Sequence, residues 1–225
     1  MPEDNLQKQK ERLIKRLKQG GYLETEAVER AFREVPRSQF LPPGHESAAY
    51  RDTPQPISHG QTISAPHMCV IMCEKLNLRE GLKVLEVGAG SGYHAALCAE
   101  LVAPKDATNP GQVYTIEIVE RLIEFARSNL KRAGYMDRIT LIHGDGAKGI
   151  PEEAPFDRIL VTAAAPSIPD PLIEQLDKGG LMLIPVGGRG FFQELIRVKK
   201  EQNGKITKEE WGGVAFVPLT GEFGI

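Results

Sequence analysis

The chain has 225 residues, of which 41% are hydrophobic and 26% charged, a balance close to ordinary globular usage that excludes a wholly disordered chain. Its 28 Lys and Arg against 30 Asp and Glu leave a net charge of -2, so no overall field draws it to nucleic acid or to an anionic membrane. Cys69, Cys73 and Cys98 lack a second Cys or His pair at zinc-site spacing; they read as reduced core thiols, and no metal is expected.

Met1-Pro2-Glu3-Asp4 carries charge where a secretion signal would be apolar, and no stretch approaches the roughly 20 apolar residues that span a bilayer. A cytoplasmic protein is expected. Leu6, Leu13, Ile14 and Leu17 share one helical face stopped by Gly20-Gly21. Thr25 is placed to cap a second helix that carries Val28, Ala31 and Phe32 and ends at Pro36. From Ser38 to Pro66 the periodicity vanishes among Pro42, Pro43, Pro54 and Pro56. The apolar residues Phe40, Leu41, Tyr50 and Ile57 make this stretch an ordered, packed loop. An apolar helix follows Pro66 through Met68, Ile71, Met72 and Leu76.

Strands and helices then alternate. Residues 83–87, 113–116, 139–142, 158–161 and 181–186 read as buried strands, and 93–101, 119–133 and 171–176 as helices. Such alternation predicts parallel strands joined by right-handed crossovers, with helices on both faces: a doubly wound α/β sheet, mostly parallel. Beyond it, 193–199 alternates polar and apolar, Asn203-Gly204 is a hairpin signal, and 214–217 is a further apolar run, so the sheet is expected to finish with antiparallel strands. The chain is read as a single domain over 1–225: N-terminal helices and a covering segment (1–66), an α/β core (67–190), and C-terminal strands with a substrate-side segment (191–225).

Chemistry concentrates at strand ends. Glu86-Val87-Gly88-Ala89-Gly90-Ser91-Gly92-Tyr93 joins the first core strand to its helix, where glycines let a ligand approach the backbone at a helix N-terminus. The third glycine comes one position too early for the dinucleotide pattern G-x-G-x-x-G, which disfavours NAD. Glu117 ends the next strand, where a carboxylate can accept from both hydroxyls of a ribose. Asp145, in Gly144-Asp145-Gly146, follows the third strand and could face an adenine amino group. Read singly, Glu117 is also an acid favourable at a helix N-terminus, and Asp145 a common turn residue. Three acids at the carboxyl ends of three successive strands mark a ligand crevice, and carboxylates suit a positively charged sulfonium better than a pyrophosphate. A Ser-His hydrolase is disfavoured because G-x-S-x-G is absent, and His67, His94 and His143 read as packing or hydrogen-bonding residues.

An acid before G-x-G-x-G resembles the first motif of class I S-adenosylmethionine-dependent methyltransferases. The stretch Gln61-Thr62-Ile63-Ser64-Ala65-Pro66-His67-Met68 then narrows the resemblance, together with Gly144-Asp145-Gly146, Ala154-Pro155-Phe156-Asp157, Ala163-Ala164-Ala165-Pro166, Pro185-Val186-Gly187 and Val217-Pro218-Leu219-Thr220. Over nearly its whole length the chain resembles the protein-L-isoaspartate O-methyltransferases. The resemblance implies a Rossmann-like methyltransferase fold with an N-terminal helical extension. It also implies transfer of a methyl group from S-adenosyl-L-methionine, leaving S-adenosyl-L-homocysteine, to the free α-carboxylate of L-isoaspartyl residues in damaged proteins and peptides, the step that initiates their repair. By the same resemblance Ser64 lies at the active site, and Thr62, Ile63, His67, Glu86, Gly88, Gly90, Gly92, Glu117, Asp145 and Gly146 surround the cofactor. Thr62, Ser64, Val217 and Thr220 meet the substrate. The expected partners are isoaspartyl proteins and peptides, with no nucleic acid and no membrane, and the chain is expected to act as a monomer. Glu86 and Glu117 stand where some relatives have Asp, and residues 104–111 lengthen one connection, expected as an external loop.

The residue types suit that reaction. An α-carboxyl group with an ordinary pKa of about 3.3–3.7 is already ionised near neutrality, so no general base is required. The neutral hydroxyls of Thr62 and Ser64 can orient it without holding its charge as tightly as an Arg or Lys clamp would. Ser64 is also placed to cap the helix that begins at Pro66. A small-molecule methyltransferase and a catalytically silent cofactor-binding scaffold are the alternatives; the acceptor-side segments favour a protein substrate.

Overall fold

The computed structural model, which describes residues 2–188 and 192–224, begins with two amphipathic helices, α1 (Pro2–Gln19) and α2 (Glu26–Glu34). Leu13, Ile14 and Leu17 of α1 are buried against Val28, Ala31 and Phe32 of α2 in one apolar cluster. The Gly20-Gly21 stop acts as expected: Gly21 takes φ +68, and the Tyr22 amide returns to the Leu17 carbonyl at 2.9 Å. Thr25 caps α2, its hydroxyl accepting from the Val28 amide at 3.3 Å. The following stretch is an ordered loop. Two 3-10 turns, Arg37–Phe40 and Glu46–Ala48, lead to two-residue strands β1 (Gln55–Pro56) and β2 (Thr62–Ile63), paired antiparallel. Phe40, Leu41 and Tyr50 anchor it in the core.

After α3 (Pro66–Lys75) the chain builds a seven-stranded sheet. Its strands are β3 (Lys83–Val87), β4 (Gln112–Glu117), β5 (Ile139–His143), β6 (Phe156–Val161), β7 (Leu176–Val186), β8 (Gln193–Lys200) and β9 (Ile206–Val214). The order is 5-4-3-6-7-8-9. The pairs from β5 to β7 are parallel, and β8 runs antiparallel to both its neighbours. Helices α4 (Tyr93–Val102), α5 (Glu120–Ala133) and α6 (Asp170–Gln175) supply the crossovers. Alternate residues of each central strand serve opposite faces. Val84, Leu160 and Leu183 pack with the N-terminal helices and α4, whereas Leu85, Ile159 and Met182 pack with Leu172 of α6. From β3 the chain steps outward through β4 and β5, then returns to the far side of β3 as β6. That reversal opens a crevice at the carboxyl ends of β3 and β6.

One expectation about the last strands needs correction. The apolar run 214–217 is not a strand; the edge strand β9 ends at Val214, and its residues are largely exposed, so no apolar alternation announces it. Residues 217–219 instead cross to the end of β6, where the Ala164 amide donates to the Val217 carbonyl and the Leu219 amide to the Ala164 carbonyl, both at 2.8 Å. The hairpin at Asn203-Gly204 forms as expected, with Gly204 at φ +84 and the Glu201 amide donating to the Lys205 carbonyl at 2.8 Å. The insertion over 104–111 is external, tied down by Glu80, which accepts from the Asn109 amide at 2.8 Å. The division expected at 190/191 lies outside the described residues.

Gly92 and Gly134 separate packing from backbone conformation. Both have positive φ (+84 and +78), but a methyl group on Gly92 would lie 2.9 Å from Leu130, whereas one on Gly134 meets nothing within 4 Å. Urea unfolding should show Gly134→Ala losing about 1 kcal/mol and Gly92→Ala about 2–4 kcal/mol. Equal losses would contradict a close approach of the glycine turn to α5.

Candidate active site

The turn after β3 is shaped by close approach. Gly88, at φ +96, donates its amide to the Ile116 carbonyl at 2.8 Å, and its own carbonyl accepts from Thr162 Oγ1 at 2.8 Å. A Cβ on Gly88 would sit 2.4 Å from that same hydroxyl oxygen, so no other residue fits without displacing β6's exit. Gly90 is different: its nearest neighbour would be Ile57 Cδ1 at 3.7 Å, which leaves its face open.

Glu117 fastens this turn. Its Oε2 accepts from the Gly90 amide at 2.9 Å, and its Oε1 from the Ile118 and Val119 amides, both at 3.0 Å. The carboxylate is 7% exposed and has no ion-pair partner among the described residues. Backbone dipoles carry its charge instead. An ionised carboxylate offers about four acceptor positions, so one more remains for a ligand hydroxyl.

Beneath the turn lies a second, stranger acid. Glu86 is fully buried, with Oε2 accepting from Thr115 Oγ1 at 2.5 Å and Oε1 left without a partner. Burial pushes its pKa up to about 7, against the pull of His94 and the Thr115 hydrogen bond, with Glu117 adding to the rise. His94 is pushed the opposite way by burial, down to about 4, despite the pull of Glu86. Its Nε2 is 3.6 Å from Cys73 Sγ, and its Nδ1 is unpartnered. His94 is therefore neutral at pH 7, while Glu86 is poised between its two forms.

Two cavities meet here. The first follows the glycine turn and is lined by Thr62, Ile63, Ser64, Glu86, Gly88, Gly90, Glu117, Gly146, Val217 and Thr220, ten of the positions expected from sequence. The second opens beside it, between His67, Met68, Phe192, Val214 and Phe216. Thr62, Ser64, Thr162 and Val217 line both.

Three expected positions lie elsewhere. His67 borders only the second cavity, where its Nδ1 and its amide both lie 2.9 Å from Asp52 Oδ1. Asp145 turns away from both. Its Oδ1 accepts from the Ala147 amide at 3.0 Å, as the turn reading has it, and its Oδ2 from the distant Glu222 amide at 2.9 Å. Gly92 packs on Leu130 rather than on either cavity. Ser64 is not a helix cap. Ala65 is the N-cap of α3, with no side-chain hydrogen bond, and Ser64 is anchored through its carbonyl, which accepts from Arg37 Nη2 at 2.7 Å.

Cys69, Ile118 and Thr162 line the first cavity and were not foreseen. Thr162 follows β6 directly across the switch point, so strand order would have exposed it. Cys69 and Ile118 carry no such signal.

No Lys or Arg lines the first cavity among the described residues. Carboxylates with spare acceptor capacity, an unpartnered buried Glu86 oxygen, an open glycine face and apolar walls at Ile118 and Leu122 fit a cationic nucleoside without phosphate. Together with the strand order, they define a class I S-adenosylmethionine-dependent methyltransferase. The family model of protein-L-isoaspartate(D-aspartate) O-methyltransferases matches residues 8–224, and the chain belongs to that family. It is 57% identical to the protein-L-isoaspartate O-methyltransferase of Hyperthermus butylicus over 215 residues, 95% of this chain and 89% of that one. It is 53% identical to that of Methanopyrus kandleri over 226 residues, 100% of this chain and 97% of that one. A crystal structure from Plasmodium falciparum described as a protein-L-isoaspartate O-methyltransferase in complex with S-adenosyl-L-homocysteine superposes with a TM-score of 0.81. It is 32% identical, covering 92% of this chain and 96% of that one.

Glu86 gives a test by pH. Its raised pKa means that its contribution to stability is full below the unfolded value of 4.5 and is lost as pH rises through about 7. His94, with its lowered pKa, contributes above 6.5 and loses that contribution as pH falls through about 4. Glu86→Gln removes the first effect, and with it the opposing pull of Glu86 on His94. Its stability relative to wild type should rise by on the order of 3 kcal/mol between pH 4.5 and pH 8 in urea unfolding. A pH-independent difference would show that Glu86 does not titrate in this window.

Proposed function

We propose that this protein methylates the free α-carboxylate of L-isoaspartyl residues in damaged proteins, using S-adenosyl-L-methionine, and so initiates their repair. The observation that carries the reading is the junction of two cavities at Thr62 and Ser64: one fitted to the donor, one open to an extended peptide. Family membership supports the same acceptor.

On the donor side Glu117 would take the ribose hydroxyls while holding the turn, and Gly90 lets the cofactor lie against the backbone. Ile63, Ile118 and Leu122 supply apolar walls. The bound cofactor supplies an electrophilic methyl group on a sulfonium. Glu86 and Gly146, the latter close-packed on Val87, line the same cavity and would help to hold the cofactor. Asp145 would act indirectly, tying down the Glu222 amide and with it the segment that follows Thr220. His67, which borders only the second cavity, belongs to the acceptor side.

On the acceptor side the hydroxyls of Thr62 and Ser64 orient an already ionised carboxylate. Val217 and Thr220 form the facing wall. That wall is rigid because the Gln193 side chain both accepts from the Phe216 amide (2.6 Å) and donates to its carbonyl (3.0 Å). Transfer from a sulfonium to a carboxylate neutralises both charges, so alignment and exclusion of water accelerate it more than proton transfer would. No covalent enzyme intermediate is required. One chain carries both cavities, so a monomer suffices. The three buried, unpaired thiols suit a reducing cytoplasm.

Ser64→Ala should lower kcat/KM for an isoaspartyl peptide roughly ten- to a hundredfold, the loss of one hydrogen bond to a charged group, while cofactor affinity changes little. Label transferred by the wild type should be released as methanol in mild base, as a carboxyl ester demands. A fully active Ser64→Ala enzyme would remove Ser64 from the reaction, and base-stable label would point to another acceptor.

A further inference from the structure

Arg37, behind the acceptor segment, is fully buried, with 0% exposure. Its Nε donates to the Ala49 carbonyl at 2.9 Å and its Nη2 to the Ser64 carbonyl at 2.7 Å. Its guanidinium lies over the Tyr93 ring, 4.7 Å from the centroid, and Nη1 has no partner. Among the described residues no carboxylate pairs with it. A buried arginine without a counter-ion is costly, and such groups are ordinarily paired. A carbonyl clamp alone could be made by a neutral donor. What an arginine adds is a fixed positive charge in a low-dielectric place.

That charge reaches the cavities. Tyr93 and Cys69, which Arg37 adjoins, both line the first cavity. Burial pushes the Cys69 thiol up to about 11 and the Tyr93 hydroxyl well up, and in each case Arg37 pulls the other way. The other titratable groups that feel it, Tyr50 and His94, are neutral near pH 7. Glu86 opposes it at Cys69, but Glu86 is hydrogen-bonded to Thr115 and is neither a hydrogen-bond nor an ion-pair partner of Arg37.

We propose that Arg37 is the buried counter-ion of the acceptor carboxylate. It fixes the Ser64 carbonyl from behind, and its unpaired charge attracts and aligns the isoaspartyl α-carboxylate across the Thr62–Ser64 segment without touching it. This rests on the reading of the site as an isoaspartyl acceptor. A charge one segment away favours the anionic substrate yet forms no contact that must break as the carboxylate is neutralised. The methyl ester, being neutral, loses the attraction and leaves. Arg37 is thus a positioning residue that also discriminates substrate from product.

The test compares an isoaspartyl peptide with its twin bearing an α-carboxamide, both bound in the presence of S-adenosyl-L-homocysteine, to wild type, Arg37→Gln and Arg37→Lys. Wild type should bind the acid about tenfold or more tighter than the amide. Arg37→Gln should lose most of that preference, with amide and cofactor affinities changed less than about threefold. Arg37→Lys should keep the preference but turn over more slowly, since one ammonium does not span both carbonyls in a fixed fork. A merely structural role would weaken acid and amide alike. Arg37→Gln with the wild-type acid-to-amide ratio overturns the proposal. So does a wild type with no acid preference, a measurement that needs no variant to fold. If wild type transfers no methyl to the isoaspartyl peptide, the reading of the site fails first and is recognised as such.

Discussion

The site depends on one carboxylate. Glu117, at the end of β4, gathers backbone amides from two separate segments, the glycine turn after β3 and the first residues before α5. Each amide would otherwise be an unpaired donor at the rim of a crevice, and each buried unpaired donor costs about 1–3 kcal/mol. The same three amides stand in for a cation, and no cation pairs with the acid among the described residues. A negative, rigid and phosphate-averse floor results from local backbone chemistry. A positively charged donor fits it for the same reason that a dinucleotide does not.

The donor floor is generic to its class, and the acceptor side comes from the two ends of the chain. Residues 37–67 arrive from the N-terminal extension, held by Arg37 between the Ala49 and Ser64 carbonyls. Residues 214–220 arrive from the C-terminal strands, held by Gln193 on Phe216 and by Ala164 on Val217 and Leu219. Neither segment has more regular structure of its own than short 3-10 turns and the two-residue strands β1 and β2. Their precision comes from the Arg37 and Gln193 side chains bonding to backbone groups and from backbone bonds to Ala164 at the end of β6.

Much of this was legible in the sequence because burial writes periodic signals. Strand β3 has the same bounds in sequence and structure, since Lys83 to Val87 is buried on both faces and stands between Gly81 and a glycine turn. Strand β9 was not legible, because an exposed edge strand such as Ile206 to Val214 has no apolar alternation to read. Ten of the thirteen expected site positions line the first cavity. The exceptions have identifiable causes. Asp145 spends one oxygen on the nearby Ala147 amide and the other on the Glu222 amide near the chain's end, His67 borders only the second cavity, and Gly92 is needed for helix packing. Arg37 was invisible, because nothing in Pro36-Arg37-Ser38 distinguishes a buried arginine from a surface one.

The central claim is that the junction at Thr62 and Ser64 presents an α-carboxylate, displaced along the backbone by the isoaspartyl linkage, to the donor. The most direct measurement is transfer of labelled methyl from S-adenosyl-L-methionine to two peptides of identical composition, one with an isoaspartyl and one with a normal aspartyl linkage at the same position. The account predicts label on the isoaspartyl peptide and none above background on its aspartyl twin. Equal labelling of the two, or of neither, would contradict it.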